Sequence, residues 1–461
     1  MSTTSTSLEI PPAKTAKTAA DAQARAQHAR ARRHRLPAVL MRAGTSRGLF
    51  LHRHDLPDDK AEWGPLLVSV MGSRLGDPRQ LEGVGGATST TSKVAVVGPS
   101  SRSGVDVEYT FVQVTVGAEV VDLTGNCGNM ASGVAAFAVD EGLVEAPPGG
   151  SETTVSVYNT NTDVLLEETI AVDPLTGLFN PTGDYRISGV KGPGSLVKVK
   201  FVSPGGSMTG KTFPTGLRQQ TIHVAVGDGV VEPFTVTASL VDVSNPFVFV
   251  DARTMPVVYD AAHPDSEISV TTIEAIRRHA SVLFGFAANT TTAGLQRGTP
   301  KISLLSAADP NTDSSSDIHV FSYSMGKAHP SFQLTGAVCL GAAVCLDGTV
   351  AADLLAEKEK NETRRSSSQR DDNSLPPTPP LSSLSSSPKS DSASPLAIAE
   401  AAEREITSSK AETASDGRKV IIQHRSGTLD VEVVIAANGE EAAGVTVYRT
   451  ARRVFDGVIY V

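Results

Sequence analysis

Cysteine, aromatic side chains, positive charge and long apolar runs are all scarce in this 461-residue chain. The cysteines are Cys127, Cys339 and Cys345, an odd count with neither a disulfide nor a zinc-ligand spacing. That excludes a disulfide scaffold and points to free thiols in a reducing compartment. Aromatics make up 5% and the net charge is −9, so nothing argues for a nucleic-acid partner. A small anionic ligand would then need a local cluster of cations or backbone N–H groups. No apolar run reaches bilayer length, so no membrane partner is expected. What is plentiful is glycine, at 40 residues, together with valine-rich runs. The two favour a strand-heavy fold with many tight turns, and the length allows two or three domains.

Residues 1–36 stand apart. They are rich in Ala, Ser and Thr, hold only Glu9 and Asp21 as acids, and end in Arg25, Arg30, Arg32, Arg33 and Arg35. Without an apolar centre they do not make a secretory signal. A disordered basic leader and a mitochondrial transit peptide share this composition, so a cytoplasmic location and the mitochondrial matrix both stay open. Beyond it, alternation marks strands at 105–116, 154–158, 196–202, 221–226 and 234–243. Residues 129–142 form a predicted helix with Ala131, Ser132, Gly133, Ala135 and Ala136 small enough to be enclosed by strands. Residues 271–284 are a second predicted helix, amphipathic. A further small-residue helix is predicted at 335–346, again after a strand at 318–324. Strands followed by a small-residue helix, twice over, hint at an internal duplication. Residues 353–417 pass into a Ser/Pro stretch with almost no apolar periodicity, and are expected to be a disordered insertion. Strands resume at 420–424, 428–435 and 445–450.

The strongest local signal is Gly125-Asn126-Cys127-Gly128-Asn129-Met130, where a strand turns into a helix. Free N–H groups at a helix start attract anions, and the helix dipole favours a thiolate. Cys127 could act as a base there while neighbouring N–H groups hold a carboxylate; a lone cysteine at a tight turn can equally be a small core residue. The second signal is Gly85 to Lys93, a hydroxyl-rich loop ending in a lysine that opens the apolar run Val94-Ala95-Val96-Val97. A partly desolvated Lys93 could serve as an acid/base, and a surface lysine at a strand edge would look the same. Met41 to Gly48, with Ser46 and Arg47, offers donors for a carboxylate or simply forms a turn. Ser244-Asn245-Pro246 and Met325-Gly326-Lys327-Ala328-His329-Pro330 are equally open.

Together with Gln333-Leu334-Thr335-Gly336-Ala337, His424-Arg425-Ser426-Gly427 and Arg449-Thr450-Ala451-Arg452-Arg453, these segments resemble, in order, the PrpF family of the diaminopimelate-epimerase-like superfamily. The resemblance runs from residue 41 to the C-terminus and leaves out the leader and the insertion. It implies an α+β fold of two topologically similar domains, each a curved, barrel-like mixed β-sheet around a central helix. The first would span 37–205, completed by a strand at 450–461, and the second 206–449. The active site would lie in the cleft between them, with both helix N-termini facing the substrate.

The family's members include 2-methylaconitate, 3-methylitaconate and aconitate isomerases and oxalomesaconate tautomerases. What the resemblance implies here is a cofactor-independent isomerase of a small polycarboxylate, with Cys127 and Lys93 as the acid/base pair and no metal. Ser46, Arg47, Asn126, Gly128, Asn129, Asn245, Lys327, His329, Thr335, Gly336 and Ala337 would bind substrate. A homodimer is compatible with it. The epimerase relatives use two cysteines, whereas Thr335-Gly336 occupies the second one's place here, and Cys339 and Cys345 fall deeper in the helix. Which unsaturated acid is used stays open, as does the alternative of a non-catalytic carboxylate-binding accessory protein.

Overall fold

The computed structural model describes residues 35–227, 229–308, 315–371 and 417–461. Residues 1–34 of the expected leader and 372–416 of the expected insertion lie outside the described residues. The remaining parts of both differ from expectation. Arg35 and Leu36 already belong to the first strand, because Leu36 is fully buried. Residues 353–371 continue a helix, Val350–Asp371, whose Leu354 and Leu355 pack into the core while Lys358 donates to the Ser316 carbonyl at 2.7 Å. The apolar pairs recur at helical spacing (Val350-Ala351, Leu354-Leu355), a pattern the shift towards Lys and Glu conceals.

The first half runs β1 (Arg35–Ala43), β2 (Ser46–His52), α1 (Trp63–Met71), β3 (Lys93–Pro99), β4 (Val107–Val114), β5 (Val121–Asp122), α2 (Gly128–Ala131), α3 (Val134–Asp140), β6 (Glu152–Asn159), β7 (Val164–Ala171) and β8 (Val197–Val202). The second runs β9 (Gln220–Val224), β10 (Phe234–Val243), β11 (Asn245–Asp251), α4 (Glu267–Leu283), α5 (Thr290–Ala293), β12 (Lys301–Ala307), β13 (Ile318–Ser324), β14 (Lys327–Ala328), α6 (Leu334–Val344), α7 (Val350–Asp371), β15 (Arg418–His424), β16 (Gly427–Ile435) and β17 (Ala442–Arg449). The last strand, β18 (Ala451–Tyr460), returns to pair antiparallel with β1.

The pairings repeat. From β1 the order β1-β2-β3-β4-β6-β7-β8 is antiparallel, parallel, antiparallel, parallel, antiparallel, antiparallel. From β10 the order β10-β11-β12-β13-β15-β16-β17 has the same sequence of directions. β8 and β17 pair antiparallel, so the halves share one continuous mixed sheet. Each half curls around its helix, but the ribbon stays open at β9 and β18 rather than closing into barrels. This is the diaminopimelate-epimerase-like fold.

Strand alternation explains the layering. In β3, Ala95 and Val97 face the core around the central helices, while Val94 and Val96 face α1. In β11, Phe247 and Phe249 face inward, while Val248 and Val250 meet α4. Strands covered on both faces read as continuous apolar runs, as these do. Except at Asp140, the last residue of α3, the central helices are buried, which small residues make feasible: a Cβ on Gly341 would come 2.5 Å from Val431 Cγ2. The predicted 129–142 helix is in fact two, broken at Ser132-Gly133. There Ser132 Oγ turns back to the Asn129 carbonyl at 2.8 Å, and the buried Glu168 carboxylate takes the Ala135 N–H at 2.9 Å.

Candidate active site

The end of β5, the turn Thr124–Asn126 and the start of α2 bring the Cys127 loop to the junction of the halves. Asp122 Oδ1 accepts from the Thr124 N–H at 2.8 Å and its hydroxyl at 2.6 Å, fixing the turn. Asn245 Oδ1, from the second half, accepts the Asn126 N–H at 3.3 Å. Cys127 holds the N-cap of α2 in an extended conformation and is half-buried. Among the described residues, the N–H groups of Cys127, Gly128 and Asn129 meet no backbone acceptor, as expected for a helix start. The tip of α6 abuts this loop: a Cβ on Gly128 would sit 2.4 Å from Leu334 Cδ2.

Between them lies a solvent-open pocket with about 580 Å³ of empty space, open solvent included. Cys127 and Lys93 both line it. Lys93 is 8% exposed; its Nζ donates to Gln113 Oε1 at 2.6 Å and lies 4.9 Å from the Phe111 ring centre. Gln113 is locked in turn by donating to the Ser92 carbonyl at 2.8 Å. No carboxylate pairs with Lys93 among the described residues.

Of the other expected residues, Ser46, Asn126, Gly128, Asn129, His329 and Thr335 also line the cavity. Five do not. Asn245 sits beneath it as the Asn126 support described above. Arg47 and Lys327 are exposed; Arg47 is tied at its backbone to Thr90, and Lys327 ends on the short hairpin strand β14. Gly336 backs onto Phe332 and Phe247, and the Ala337 N–H is taken up within the helix by the Gln333 carbonyl at 2.9 Å. The N-cap of α6 is Gln333, so Thr335 lies just inside the helix, its buried hydroxyl without a partner among the described residues. Cys339 lies deeper, its thiol against the Val241 carbonyl at 3.5 Å and its pKa pushed up by burial. Burial likewise raises Cys345 to about 11. Neither thiol faces Cys127.

The main residue that sequence reasoning missed is Lys301, which opens β12 as Lys93 opens β3. By strand order and direction the two lysines are equivalents in the duplicated halves, and each heads an apolar run. That shared pattern was the available signal. Lys301 Nζ donates to the Asn126 carbonyl at 3.3 Å and lies 5.7 Å from the centre of the Phe247 ring. Burial draws its pKa down to about 8, opposed by the Cys127 thiol and reinforced by the charge of Lys93. Burial, with the charges of Lys93 and Lys301, also holds His329 down to about 4, a neutral ring. Its Nδ1 lies 2.7 Å from the Ser331 carbonyl and 3.1 Å from the Ser331 N–H, so the Ser331 backbone fixes the ring in place. The cavity therefore joins a thiol, two amines, a neutral imidazole and the N–H groups of the α2 start, with Asp122 at its wall.

The comparisons with known proteins agree with this fold. A family model described as "PrpF protein" matches residues 33–369, and the chain belongs to the PrpF family. It is similar to the 3-methylitaconate isomerase of Eubacterium barkeri, 34% identical, covering 72% of this chain and 87% of that protein. It is also similar to the 2-methyl-aconitate isomerase of Shewanella oneidensis, 31% identical over 72% of this chain and 86% of that one. Among solved structures it resembles a methylitaconate-delta-isomerase, with a TM-score of 0.63 and 28% identity, covering 93% of this chain and 96% of the other. No helix among the described residues is long and apolar enough to cross a membrane.

Proposed function

We propose that the protein is a cofactor-independent isomerase that shifts a carbon–carbon double bond in a small unsaturated di- or tricarboxylate. The observation that carries this reading is the meeting of Cys127, Lys93 and Lys301 in one cavity beside unpaired helix-start N–H groups. The substrate class is argued from that set: two amines, Lys93 buried and Lys301 half-buried, favour an anion with at least two carboxylates. Relatives of comparable length named as isomerases of such acids support it.

The reaction needs a proton removed from a carbon next to the double bond and one returned at the far end of the allylic system. One of Cys127 and Lys93 takes the first proton; the C–H electron pair moves into the adjoining π-system, and the negative charge spreads onto a conjugated carboxylate as a dienolate. The other group then delivers a proton at the far carbon, so the double bond moves by one position with no net change in atoms or electrons. Stabilising the dienolate is the costly part. Preoriented donors in a secluded site do this better than water, and in this reading the N–H groups at Cys127, Gly128 and Asn129 with the Lys301 ammonium supply them. The neutral His329 adds no competing charge.

Incubation of the full-length protein with trans-aconitate, methylaconitate or methylitaconate in deuterated water tests the reading. Deuterium entering the allylic positions with conversion to the shifted isomer is the expected result. Absence of exchange from all such acids overturns it.

A further inference from the structure

Beyond Asn129 lies a second cavity, of about 690 Å³, that the proposed chemistry does not use. It opens where the β1–β2 turn, the loop before β8, the β15–β16 hairpin and the end of β17 converge. Its most buried polar groups are Arg449 and His424, each 5% exposed, and Arg449 carries the charge. The Arg449 Nε donates to Asn129 Oδ1 at 3.2 Å and its Nη1 to the Tyr448 carbonyl at 2.8 Å. Nη2 has no acceptor among the described residues, and no carboxylate forms an ion pair with this guanidinium. A buried cation without a counter-charge is costly to maintain, and burial does lower Arg449 to about 10.

The rest of the lining supplies neutral donors. His424 Nδ1 accepts the Ser426 N–H at 3.2 Å, so the ring proton sits on Nε2, which has no partner among the described residues. Burial and the charge of Arg449 keep that ring neutral, down to about 4. The Tyr185 hydroxyl stays protonated because burial raises its pKa. The one carboxylate of the wall, Asp430, is already held by Lys419 at 2.7 Å. Arg186 adds an exposed cation at the rim.

We propose that this second cavity binds a small carboxylate other than the one being isomerised, with its charged end on Arg449 and the Tyr185, Ser188 and His424 side chains as neutral donors. The cavity holds no acid/base pair, and Asn129 stands between it and Cys127. A carboxylate is favoured over a phosphate dianion because its planar, singly charged end matches the one buried guanidinium, and a second carboxylate, as in malonate, can lie at the exposed rim beside Arg186, whereas phosphate concentrates both charges on one centre.

The test uses malonate as the probe and the full chain carrying Lys93→Met and Lys301→Met, which strips the first cavity of its amines. Titration calorimetry should find one malonate per chain, weakened at least tenfold by a further Ser188→Glu at the half-exposed rim. Malonate that fails to bind, binding indifferent to Ser188→Glu, or inorganic phosphate binding more tightly than malonate overturns the proposal. A crystal of the unaltered chain soaked in malonate gives an independent reading, should the amine-free variant not fold. Density against Arg449 supports the site, and an empty cavity at saturating malonate removes it.

Discussion

Lys301 Nζ, from the first residue of β12, donates to the main-chain carbonyl of Asn126, the residue before Cys127. A side chain of the second half thus holds the loop of the first in place while keeping an ammonium beside the thiol. Replacing Lys301 by Met should raise KM for a di- or tricarboxylate at least tenfold, about the 1.4 kcal/mol of one modest charge-assisted contact. The folded pKa of about 8 lies below the ordinary 10.5, so the protonated anchor is lost as pH rises through 8. In pH profiles of kcat/KM the wild type should show a falling limb near there, and Lys301→Met should lack that limb.

The same shift has a sign for stability. Between pH 8 and 10.5 the unfolded chain holds more protons at this site than the folded one, so stability gains as pH rises. Denaturant unfolding at several pH values should show a gain of up to about 3 kcal/mol over that window in the wild type, absent from Lys301→Met.

Cys127→Ser and Lys93→Met should each lower kcat by roughly 10²–10⁴, the usual contribution of a positioned acid or base. Deuterium exchange separates their roles. A variant that still exchanges the substrate proton but makes no product has lost the second step, and one that does neither has lost the first.

Much of this site was readable beforehand, and the pattern of what was not is physical. The Gly125–Met130 loop announces itself because glycines flank a cysteine at a strand-to-helix turn. Lys93 stands out because it follows a hydroxyl-rich loop and opens an apolar strand. Lys301 opens an apolar strand too, but it follows Gly298-Thr299-Pro300 and carries no such flag. Its place at the head of an apolar run is the one sequence signal it shares with Lys93, and the pairing directions of the sheet turn that into an equivalence. Arg47 and Lys327 misled for the opposite reason: their charge suggested a ligand, but strand alternation turns them outward, and alternation in a short hairpin is invisible without its partner. The helix at 350–371 escaped because four buried aliphatics are diluted among charged residues.

Gly128→Ala should be disruptive out of proportion to one methyl group. The added carbon would meet Leu334 at 2.4 Å, where the tips of α2 and α6 touch. A loss of about 1–3 kcal/mol is expected from overpacking, read as a lower Tm, and kcat should fall because the N–H groups of α2 shift.

Glu168 offers a pH effect of opposite sign to that of Lys301. It is fully buried, accepts the Ala135 N–H with one oxygen, and its other oxygen has no partner among the described residues. Burial raises it from 4.5 to about 8. The folded protein therefore holds a proton the unfolded chain gives up, and stability present below pH 4.5 is lost as pH climbs through 8. Glu168→Gln should flatten that decline and leave the variant more stable than wild type at pH 8, by an amount on the order of 2 kcal/mol.

The rungs between β8 and β17, from Val197 opposite Arg449 to Val202 opposite Gly444, tie the two similar halves into one fabric. Neither can be lifted out as a free-standing piece without tearing a row of main-chain bonds and leaving two raw strand borders. Melting followed by near- and far-ultraviolet dichroism should accordingly trace a single cooperative event, and a chain cut after residue 205 should precipitate rather than survive as a miniature.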